Sequence, residues 1–252
     1  MAEYPESKIE EFIKICVVNA GAKGAILGLS GGIDSTVAAY LAVRALGSEN
    51  LLGLILPEKD VTPAEDVKDA ENVCNILNIK YEKIDISSIL ECYSRVLQIE
   101  KAPKVVAGNL KARVRMILLY WHANLRKLLV IGTGNKTEIL LGYSTKYGDA
   151  AADIMPLAGL FKKDIWDIAE RLELPRGIIE KKPAAGLWPG QTDEDELGIT
   201  YRDADLILQE IEHGTCHEDL VKLYGSAKVN LILRKIKSSQ HKRELPPTPP
   251  RL

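Results

Sequence analysis

The sequence predicts an α/β protein with a doubly wound, mostly parallel sheet, helices on both faces of that sheet and a helical C-terminal part. Two observations carry this prediction. Short apolar runs of strand type alternate with longer segments of helical periodicity, and glycine-rich polar stretches follow two of the runs. Such alternation is typical of βαβ units, whose parallel sheets bind ligands beyond the carboxyl ends of the strands. Because no proline-, glycine- or serine-rich linker divides the 252 residues, we interpret them as a single domain.

The strands are predicted from their apolar runs, and the helices from apolar residues spaced three and four positions apart. The predicted strands are Ala25–Leu29, Leu51–Leu56, Tyr81–Ile86 and Leu128–Thr133. The predicted helices are 8–19, Thr36–Leu46, a segment ending near Leu77, Lys104–Arg126, Lys162–Leu172, Asp203–Glu212, His217–Tyr224 and Ala227–Lys237.

Cap residues predict where two of the helices begin. Thr62-Pro63-Ala64-Glu65 fits a capping box, with Thr62 as N-cap and Pro63 at the first helical position. Ser87 is predicted to cap the helix after the third strand. The proline-rich end, residues 246–250, is expected to be extended.

Charge and cysteine content exclude several classes of partner. The net charge of −2 gives no electrostatic reason to expect nucleic acid or an anionic membrane. The four cysteines (Cys16, Cys74, Cys92 and Cys216) form no C-x-x-C pair, which argues against a zinc or redox site and suits a reducing cytoplasm. Neither a signal peptide nor a run of 18 apolar residues is found, so we expect a cytoplasmic protein without a membrane span.

The stretch Ser30-Gly31-Gly32-Ile33-Asp34-Ser35 follows the first predicted strand and opens a helix. Unpaired amides at a helix N-terminus attract anions, and glycines let phosphate oxygens approach the backbone. The hydroxyls of Ser30, Ser35 and Thr36 add donors. A carboxylate at Asp34 suits such a site when Mg²⁺ accompanies the phosphate. The alternative is an ordinary βα turn rich in small residues.

A second polar stretch, Gly132-Thr133-Gly134-Asn135-Lys136-Thr137-Glu138, follows the fourth predicted strand. It does not fit the Walker pattern, because an asparagine separates Gly134 from Lys136, and it does not fit G-x-G-x-x-G, because the third glycine is missing. Because both polar stretches follow strands of the predicted parallel sheet, Asp34 and Glu138 are predicted to flank one Mg²⁺ ion at a shared edge of the sheet. Alternatively, Glu138 is simply an acidic residue that the dipole at a helix N-terminus stabilises.

The pattern S-G-G-x-D-S resembles the pyrophosphate loop of the N-type ATP pyrophosphatases, which split ATP between its α- and β-phosphates. Further motifs follow in the order seen in ammonia-dependent NAD synthetases, so that the resemblance extends from residue 28 to about 250. These motifs are 108–116, 132–138, 146–149, 152–154, 186–188, 190–194 and 239–243.

This resemblance implies an adenine nucleotide alpha hydrolase-like fold and a ligase that amidates deamido-NAD with ammonia through an acyl-adenylate, using Mg²⁺ and ATP. The implied ATP-binding residues are Gly28, Leu29, Ser30, Gly31, Gly32, Ile33, Asp34, Ser35, Thr133, Lys162 and Ala184. The implied deamido-NAD-binding residues are Arg113, Lys146, Asp153, His241 and Lys242. Catalytic roles are expected for Asp34, Lys162 and Asp153, the last as a candidate base, and metal binding for Asp34 and Glu138.

One departure from the family pattern concerns Ala184, which stands where a serine or threonine commonly contacts ATP. The missing hydroxyl contact is worth about 0.5–1.5 kcal/mol, so we expect weaker ATP binding with activity retained. The absence of a glutaminase-like segment predicts free ammonia as the nitrogen source, unless a separate protein delivers the ammonia. The resemblance also implies a homodimer. The apolar stripe of Lys104–Arg126 suits such an interface, although a helix facing the core would look the same.

Two other functions remain open on the sequence alone. The chain could amidate another acid, such as a nucleotide precursor, or modify tRNA; its near-neutral charge and lack of a cysteine pair argue against tRNA thiolation. It could also be a nucleotide-binding module without catalytic activity, for which two carboxylates suited to magnesium have no use. Pyrophosphate release that depends on a particular acid distinguishes these functions.

Overall fold

The fold is built on a parallel sheet of four strands, as predicted. A computed structural model describes residues 5–249. The strands are β1 (Ala25–Gly28), β2 (Leu51–Ile55), β3 (Lys80–Lys83) and β4 (Leu129–Ile131), in the order β3-β2-β1-β4. The chain moves outward from β1 to β3 and then returns to place β4 on the other side of β1. The strand order therefore reverses beside β1, where ligands bind in open α/β sheets.

Helices precede, connect and follow the strands in the order that the sequence predicts, with short additional helices in segments that the sequence left irregular. The helices are α1 (Pro5–Asn19), α2 (Ile33–Leu46), α3 (Ala64–Ile76), α4 (Ser87–Leu97), α5 (Lys104–Arg126), α6 (Lys136–Leu141), α7 (Lys162–Arg171), α8 (Arg176–Ile179), α9 (Asp193–Leu197), α10 (Tyr201–Glu212), α11 (His217–Tyr224) and α12 (Ser226–Ser238).

The two faces of the sheet are covered by different helices. Neighbouring residues of a strand point to opposite faces, and in β1 Leu27 packs with residues of α1, α2 and α7 while Ile26 packs with residues of α5. A further apolar cluster joins α6, α10 and α12, with Tyr201 completely buried inside it. The predicted doubly wound sheet and helical C-terminal part are thus both confirmed.

Each of the two predicted helix N-caps is wrong by one residue. Helix α3 begins at Ala64 with Pro63 before it, and the Thr62 hydroxyl instead accepts the Glu58 N–H at 2.9 Å. Helix α4 begins at Ser87 itself, whose hydroxyl accepts the Lys59 N–H at 2.8 Å. Both hydroxyls stabilise the connection after β2 instead of a helix end, because that loop presents backbone donors closer to them.

The structure also bears on the predicted extended C-terminal segment and on the predicted lack of a membrane span. Residues 246–249 form neither helix nor strand, and Pro250 lies outside the described residues. Within residues 5–249, no helix combines the length and apolar character that crossing a bilayer requires.

Candidate active site

A cleft of about 760 Å³ lies at the carboxyl end of the sheet, beside the reversal in strand order. Its walls are the β1–α2 loop, the β4–α6 loop, the start of α7 and residues 181–191, which we call the cover segment. Twelve of the residues predicted from the sequence line this cleft. They are Gly28, Leu29, Ser30, Gly32, Ile33, Asp34, Ser35, Thr133, Glu138, Lys162, Ala184 and Lys242.

Side-chain hydroxyls close the β1–α2 loop through hydrogen bonds to its own backbone. Ser35 Oγ and Thr36 Oγ1 both donate to the Gly32 carbonyl, at 3.0 and 2.9 Å, and Ser30 Oγ accepts the Gly32 N–H at 3.2 Å. Thr36 is completely buried, so its hydroxyl serves the loop and is not the phosphate donor that the sequence suggested. Ile33, Asp34 and Ser35, at the start of α2, line the cleft, and the unpaired amides of a helix N-terminus suit phosphate there.

Asp34 and Glu138 meet at one buried ammonium group, as their positions after β1 and β4 predicted. Lys162 Nζ lies 2.5 Å from Asp34 Oδ2 and 3.4 Å from Glu138 Oε1. The Lys162 side chain is 1% exposed, whereas those of Asp34 and Glu138 are 19% and 16% exposed. The two carboxylates therefore keep an open side toward the cleft, while their shared lysine is shielded behind them.

Asn135 fixes the two carboxylates relative to each other. Its side-chain amide donates to Asp34 Oδ1 at 2.8 Å, and its carbonyl oxygen accepts the Glu138 N–H at 3.0 Å. Glu138 Oε2 in turn accepts the Asn135 N–H at 3.3 Å, which completes a capping box at the start of α6. The asparagine that breaks the Walker pattern is thus the residue that joins both halves of the site. The N-x-x-E spacing was the sequence signal for it.

The electrostatics of this cluster leave an excess of negative charge. Burial raises the pKa of Glu138 to about 7, and the nearby Asp34 adds to that rise, against the lowering effect of Lys162. Burial opposes the charged form of Lys162, yet Asp34 and Glu138 raise the pKa of its ammonium above the usual value. Two carboxylates thus share one cation, and a second cation between them would be stabilised.

This donor set fits Mg²⁺. The ion prefers oxygen ligands, and it commonly takes one or two carboxylates together with phosphate oxygens and water. Asp34 and Glu138 provide two such carboxylates beside the phosphate loop. Across residues 5–249, no three His, Cys, Asp or Glu side chains gather as a metal site made by protein alone. The site is therefore suited to an ion that arrives with a phosphorylated substrate.

A chain of hydrogen bonds that the sequence did not reveal connects this cluster to helix α9. The Tyr201 hydroxyl lies 3.3 Å from Glu138 Oε1 and 2.9 Å from Asp193 Oδ2. The Tyr143 hydroxyl lies 3.0 Å from Asp193 Oδ1 and 2.7 Å from Glu196 Oε2. Burial raises the pKa values of both tyrosines and of Asp193. These groups come from separate helices and loops, so no local motif marks them.

Helix α5 seats the cover segment. A side chain at Gly108 would press on Leu187 and Trp188, with a Cβ only 3.1 Å from Leu187 Cδ1. Lys111 Nζ donates to the Leu187 carbonyl at 2.8 Å and pairs with Glu58 Oε2 at 2.8 Å. The G-N-L-K motif of α5 therefore holds the cover segment through a small residue and a cation.

A half-buried arginine also lines the cleft without having been predicted. Arg115 Nε donates to the Leu56 carbonyl at 3.0 Å, just beyond the end of β2. Burial lowers the pKa of its guanidinium, with Glu58 and Asp149 acting in the opposite direction. Its remaining N–H groups can serve a polar ligand in the cleft.

The residues expected to bind the second substrate form a neighbouring cluster at the mouth of the cleft. Arg113 Nη2 donates to the Lys146 carbonyl at 3.2 Å, and Lys146 Nζ donates to the His241 carbonyl. Lys242 Nζ donates to the Gly142 and Ser144 carbonyls at 2.7 and 2.6 Å. Of these four predicted residues, Lys242 alone lines the cleft described above.

Asp153 lies apart from this cluster, beside Val130 in the middle of β4. Its Oδ2 accepts the Val130 N–H at 2.7 Å, and its Oδ1 accepts the Tyr120 hydroxyl at 3.3 Å. Burial, with Asp153 as the second cause, raises the pKa of Tyr120 to about 12. The structure therefore ties Asp153 to the sheet and to α5, and does not bring it to the Asp34–Glu138–Lys162 cluster.

Comparison with known proteins identifies the family. The NAD synthase model matches residues 6–246. The NH₃-dependent NAD⁺ synthetase of Methanosarcina mazei is 48% identical over 250 residues, which cover 98% of either chain. The chain belongs to the NAD synthase family. As a member of this family it is a ligase of NAD biosynthesis that uses ATP as a substrate.

Solved structures agree with this assignment to the NAD synthase family. The NMN synthetase from Francisella tularensis has a TM-score of 0.86 and 39% sequence identity, covering 98% of this chain and 97% of that chain. The NH₃-dependent NAD synthetase from Campylobacter jejuni has a TM-score of 0.82 and 33% identity, covering 97% and 96%. The predicted fold class and enzyme class are therefore confirmed.

Proposed function

We propose that the chain amidates deamido-NAD with ammonia to give NAD, AMP and pyrophosphate, as a single amidating domain. The observation that carries this proposal is the meeting of Asp34, Glu138 and Lys162 beside the phosphate loop. The ammonia-dependent NAD synthetases among its relatives support the same reaction.

In the first step, a nicotinate carboxylate oxygen attacks the α-phosphorus of ATP, and the bond from that phosphorus to the bridging oxygen of the β-phosphate breaks. The product is an acyl-adenylate, and pyrophosphate leaves. A carboxylate is already nucleophilic at neutral pH, so positioning and charge compensation supply the catalysis.

Different residues of this chain would bind the phosphates and compensate their charge. The amides of the phosphate loop, residues 28–35, hold the phosphates, with Thr133 and position 184 as further ATP contacts. Lys162 offsets the charge that develops on the leaving pyrophosphate, and Asn135 keeps Asp34 and Glu138 in register. Mg²⁺ held by Asp34 and Glu138 would neutralise phosphate charge when bound.

In the second step, the ammonia nitrogen attacks the acyl carbon, the bond from that carbon to the AMP oxygen breaks, and one proton passes from the nitrogen to water. We propose that Arg113, Lys146, His241 and Lys242 orient the dinucleotide from the mouth of the cleft. We also propose that Asp153, which Val130 and Tyr120 hold beside β4, orients the second substrate.

The direct test incubates the purified chain with ATP, Mg²⁺, an ammonium salt and deamido-NAD, and measures the products by chromatography. The expected result is equal amounts of NAD, AMP and pyrophosphate, with no pyrophosphate when deamido-NAD is omitted. Formation of ADP and phosphate would contradict the proposed bond cleavage. ATP binding without any turnover would favour a binding module.

A second candidate substrate is nicotinate mononucleotide. The similarity to an NMN synthetase favours it, and the reacting carboxylate would be the same. The ratio of kcat/KM for the dinucleotide and the mononucleotide distinguishes the two. We expect the dinucleotide to be preferred by at least about tenfold, because Lys146 and His241, which do not line the main cleft, would contact the adenylate half that the mononucleotide lacks. A preference for the mononucleotide would reverse the assignment.

We also propose that the chain acts in the cytoplasm as a homodimer, paired through an exposed face of α5. Ile117, Trp121 and Leu125 are spaced by four residues and are 51%, 66% and 68% exposed, whereas Val114 faces the core. Sedimentation of the wild type as a dimer, and of Trp121→Glu as a monomer, is the expected outcome. A monomeric wild type at micromolar concentration would contradict it. Cell fractionation tests the compartment.

A further inference from the structure

Lys181, the first residue of the cover segment, reaches back to the phosphate loop. Its Nζ lies 3.3 Å from the Gly31 carbonyl and 2.9 Å from Asp66 Oδ1, and it also contacts Asp69 Oδ2. The Lys181 side chain is 23% exposed, so these contacts are partly shielded from solvent. One ammonium group thus joins the cover segment, the phosphate loop and helix α3.

The loop residue that Lys181 contacts has little freedom of its own. Gly31 has a φ of +77°, a conformation that side-chain-bearing residues rarely adopt, and a Cβ there would lie 2.3 Å from the Asp66 carbonyl oxygen. The loop is therefore pressed against the first turn of α3 on one side. On its other side, the loop contacts the cover segment through the hydrogen bond from Lys181 Nζ to the Gly31 carbonyl.

Two negative charges on α3 hold the Lys181 ammonium group beside the phosphate loop. Asp66 and Asp69 lie one turn apart on α3, and both face the same ammonium group. Burial lowers the pKa of Lys181, but Asp69 and Asp66 outweigh that effect and raise it above the usual value, so the group stays charged. Two carboxylates and a carbonyl hold the ammonium where it fixes the loop.

We propose that Lys181 is a positioning residue for the pyrophosphate part of ATP. By holding the Gly31 carbonyl, it orients the following amides toward the phosphates, and it makes that orientation depend on the cover segment. The inference rests on the proposed function to the extent that residues 28–35 bind the phosphates of ATP. None of the roles predicted from the sequence includes this residue.

The test compares Lys181→Met with Lys83→Met. Lys83 pairs with Glu71 on the same helix α3 at 2.6 Å but makes no contact with the loop, so it is a matched control for loss of an α3 ion pair. The first readout is the affinity for pyrophosphate in the presence of Mg²⁺, measured by calorimetry, which needs no turnover. The second is the pair of KM values for ATP and for deamido-NAD.

For Lys181→Met we expect pyrophosphate affinity and the KM for ATP to worsen by about tenfold, as for one charge-assisted hydrogen bond. The KM for deamido-NAD should change less than about twofold. Lys181→Arg should recover most of the loss, and Lys83→Met should resemble the wild type.

Three outcomes would overturn the proposal. They are unchanged pyrophosphate affinity in Lys181→Met, an equal rise in both KM values together with a lower melting temperature, and a wild type that does not bind pyrophosphate. A wild type that binds pyrophosphate but forms no NAD would instead defeat the proposed function. In that case the comparison of pyrophosphate affinities still decides the role of Lys181.

Discussion

Replacing Lys162 with methionine tests the electrostatic core of the site. Methionine keeps an unbranched side chain of similar length, so it can still pack against Tyr201 and Trp166, whose ring centroids lie 4.8 and 5.9 Å from Lys162 Nζ. What it removes is the one cation between Asp34 and Glu138. The two carboxylates are then left facing each other in a partly buried place.

Removing one partner of a buried ion pair costs about 3–5 kcal/mol, mainly because the other charge stays buried and unpaired. Asp34 and Glu138 are 19% and 16% exposed, so water compensates part of that loss. We therefore expect Lys162→Met to lower the free energy of unfolding by about 3 kcal/mol at pH 8 without divalent cations. Millimolar Mg²⁺ should recover part of the loss, because the ion binds between the two carboxylates in the folded protein and does not bind the unfolded chain.

Urea unfolding followed by tryptophan fluorescence measures this change. Lys136→Met is the control, because Lys136 pairs with Glu212 at 2.6 Å on a surface where the side chains are 24% and 41% exposed. That pair is worth about 0–1 kcal/mol. If Lys162→Met costs no more than Lys136→Met, or if Mg²⁺ destabilises it, the reasoning is refuted.

Three further predictions concern single side chains of the cleft. Because the pKa of Glu138 is raised from 4.5 to about 7, the folded state binds an extra proton between those values, and wild-type stability falls as pH rises through that window. Between pH 5 and pH 8 this effect lowers the wild-type free energy of unfolding by at most about 3 kcal/mol. Glu138→Gln should remove that pH dependence in urea unfolding without Mg²⁺, and an unchanged pH dependence would count against the raised pKa. Asp34→Ala should reduce deamido-NAD-dependent pyrophosphate release at least about 100-fold, and near-normal turnover would contradict its role. Ala184→Ser should lower the KM for ATP by about twofold to tenfold, as one added hydroxyl contact permits, and a higher KM would show that position 184 does not face ATP.

The meeting of Asp34 and Glu138 could be predicted from the sequence because both follow strands, and parallel strands bring their carboxyl ends to one edge of the sheet. Strand order was the unknown, and β4 beside β1 supplies it. Lys162 could be assigned only through the family resemblance, because its reach depends on how α7 packs against α6 and α10.

The remaining groups of the site depend on tertiary contacts that no local pattern encodes. Tyr201 and Asp193 come from different helices, and each alone looks like an ordinary core or surface residue. Thr36 looked like a phosphate donor because a hydroxyl near a phosphate loop suits either role, and its complete burial decides between them. Asp153 was grouped with the cleft by order along the chain, although its oxygens are already held by Val130 and Tyr120.

The most direct measurement uses Mn²⁺ in place of Mg²⁺ and follows its binding by electron paramagnetic resonance, with a non-hydrolysable ATP analogue present. Asp34 and Glu138 facing one opening predict a single tight Mn²⁺ ion per chain that needs the nucleotide, and Asp34→Asn and Glu138→Gln should each weaken it by at least about tenfold. If either variant holds Mn²⁺ as tightly as the wild type, the two carboxylates do not share an ion.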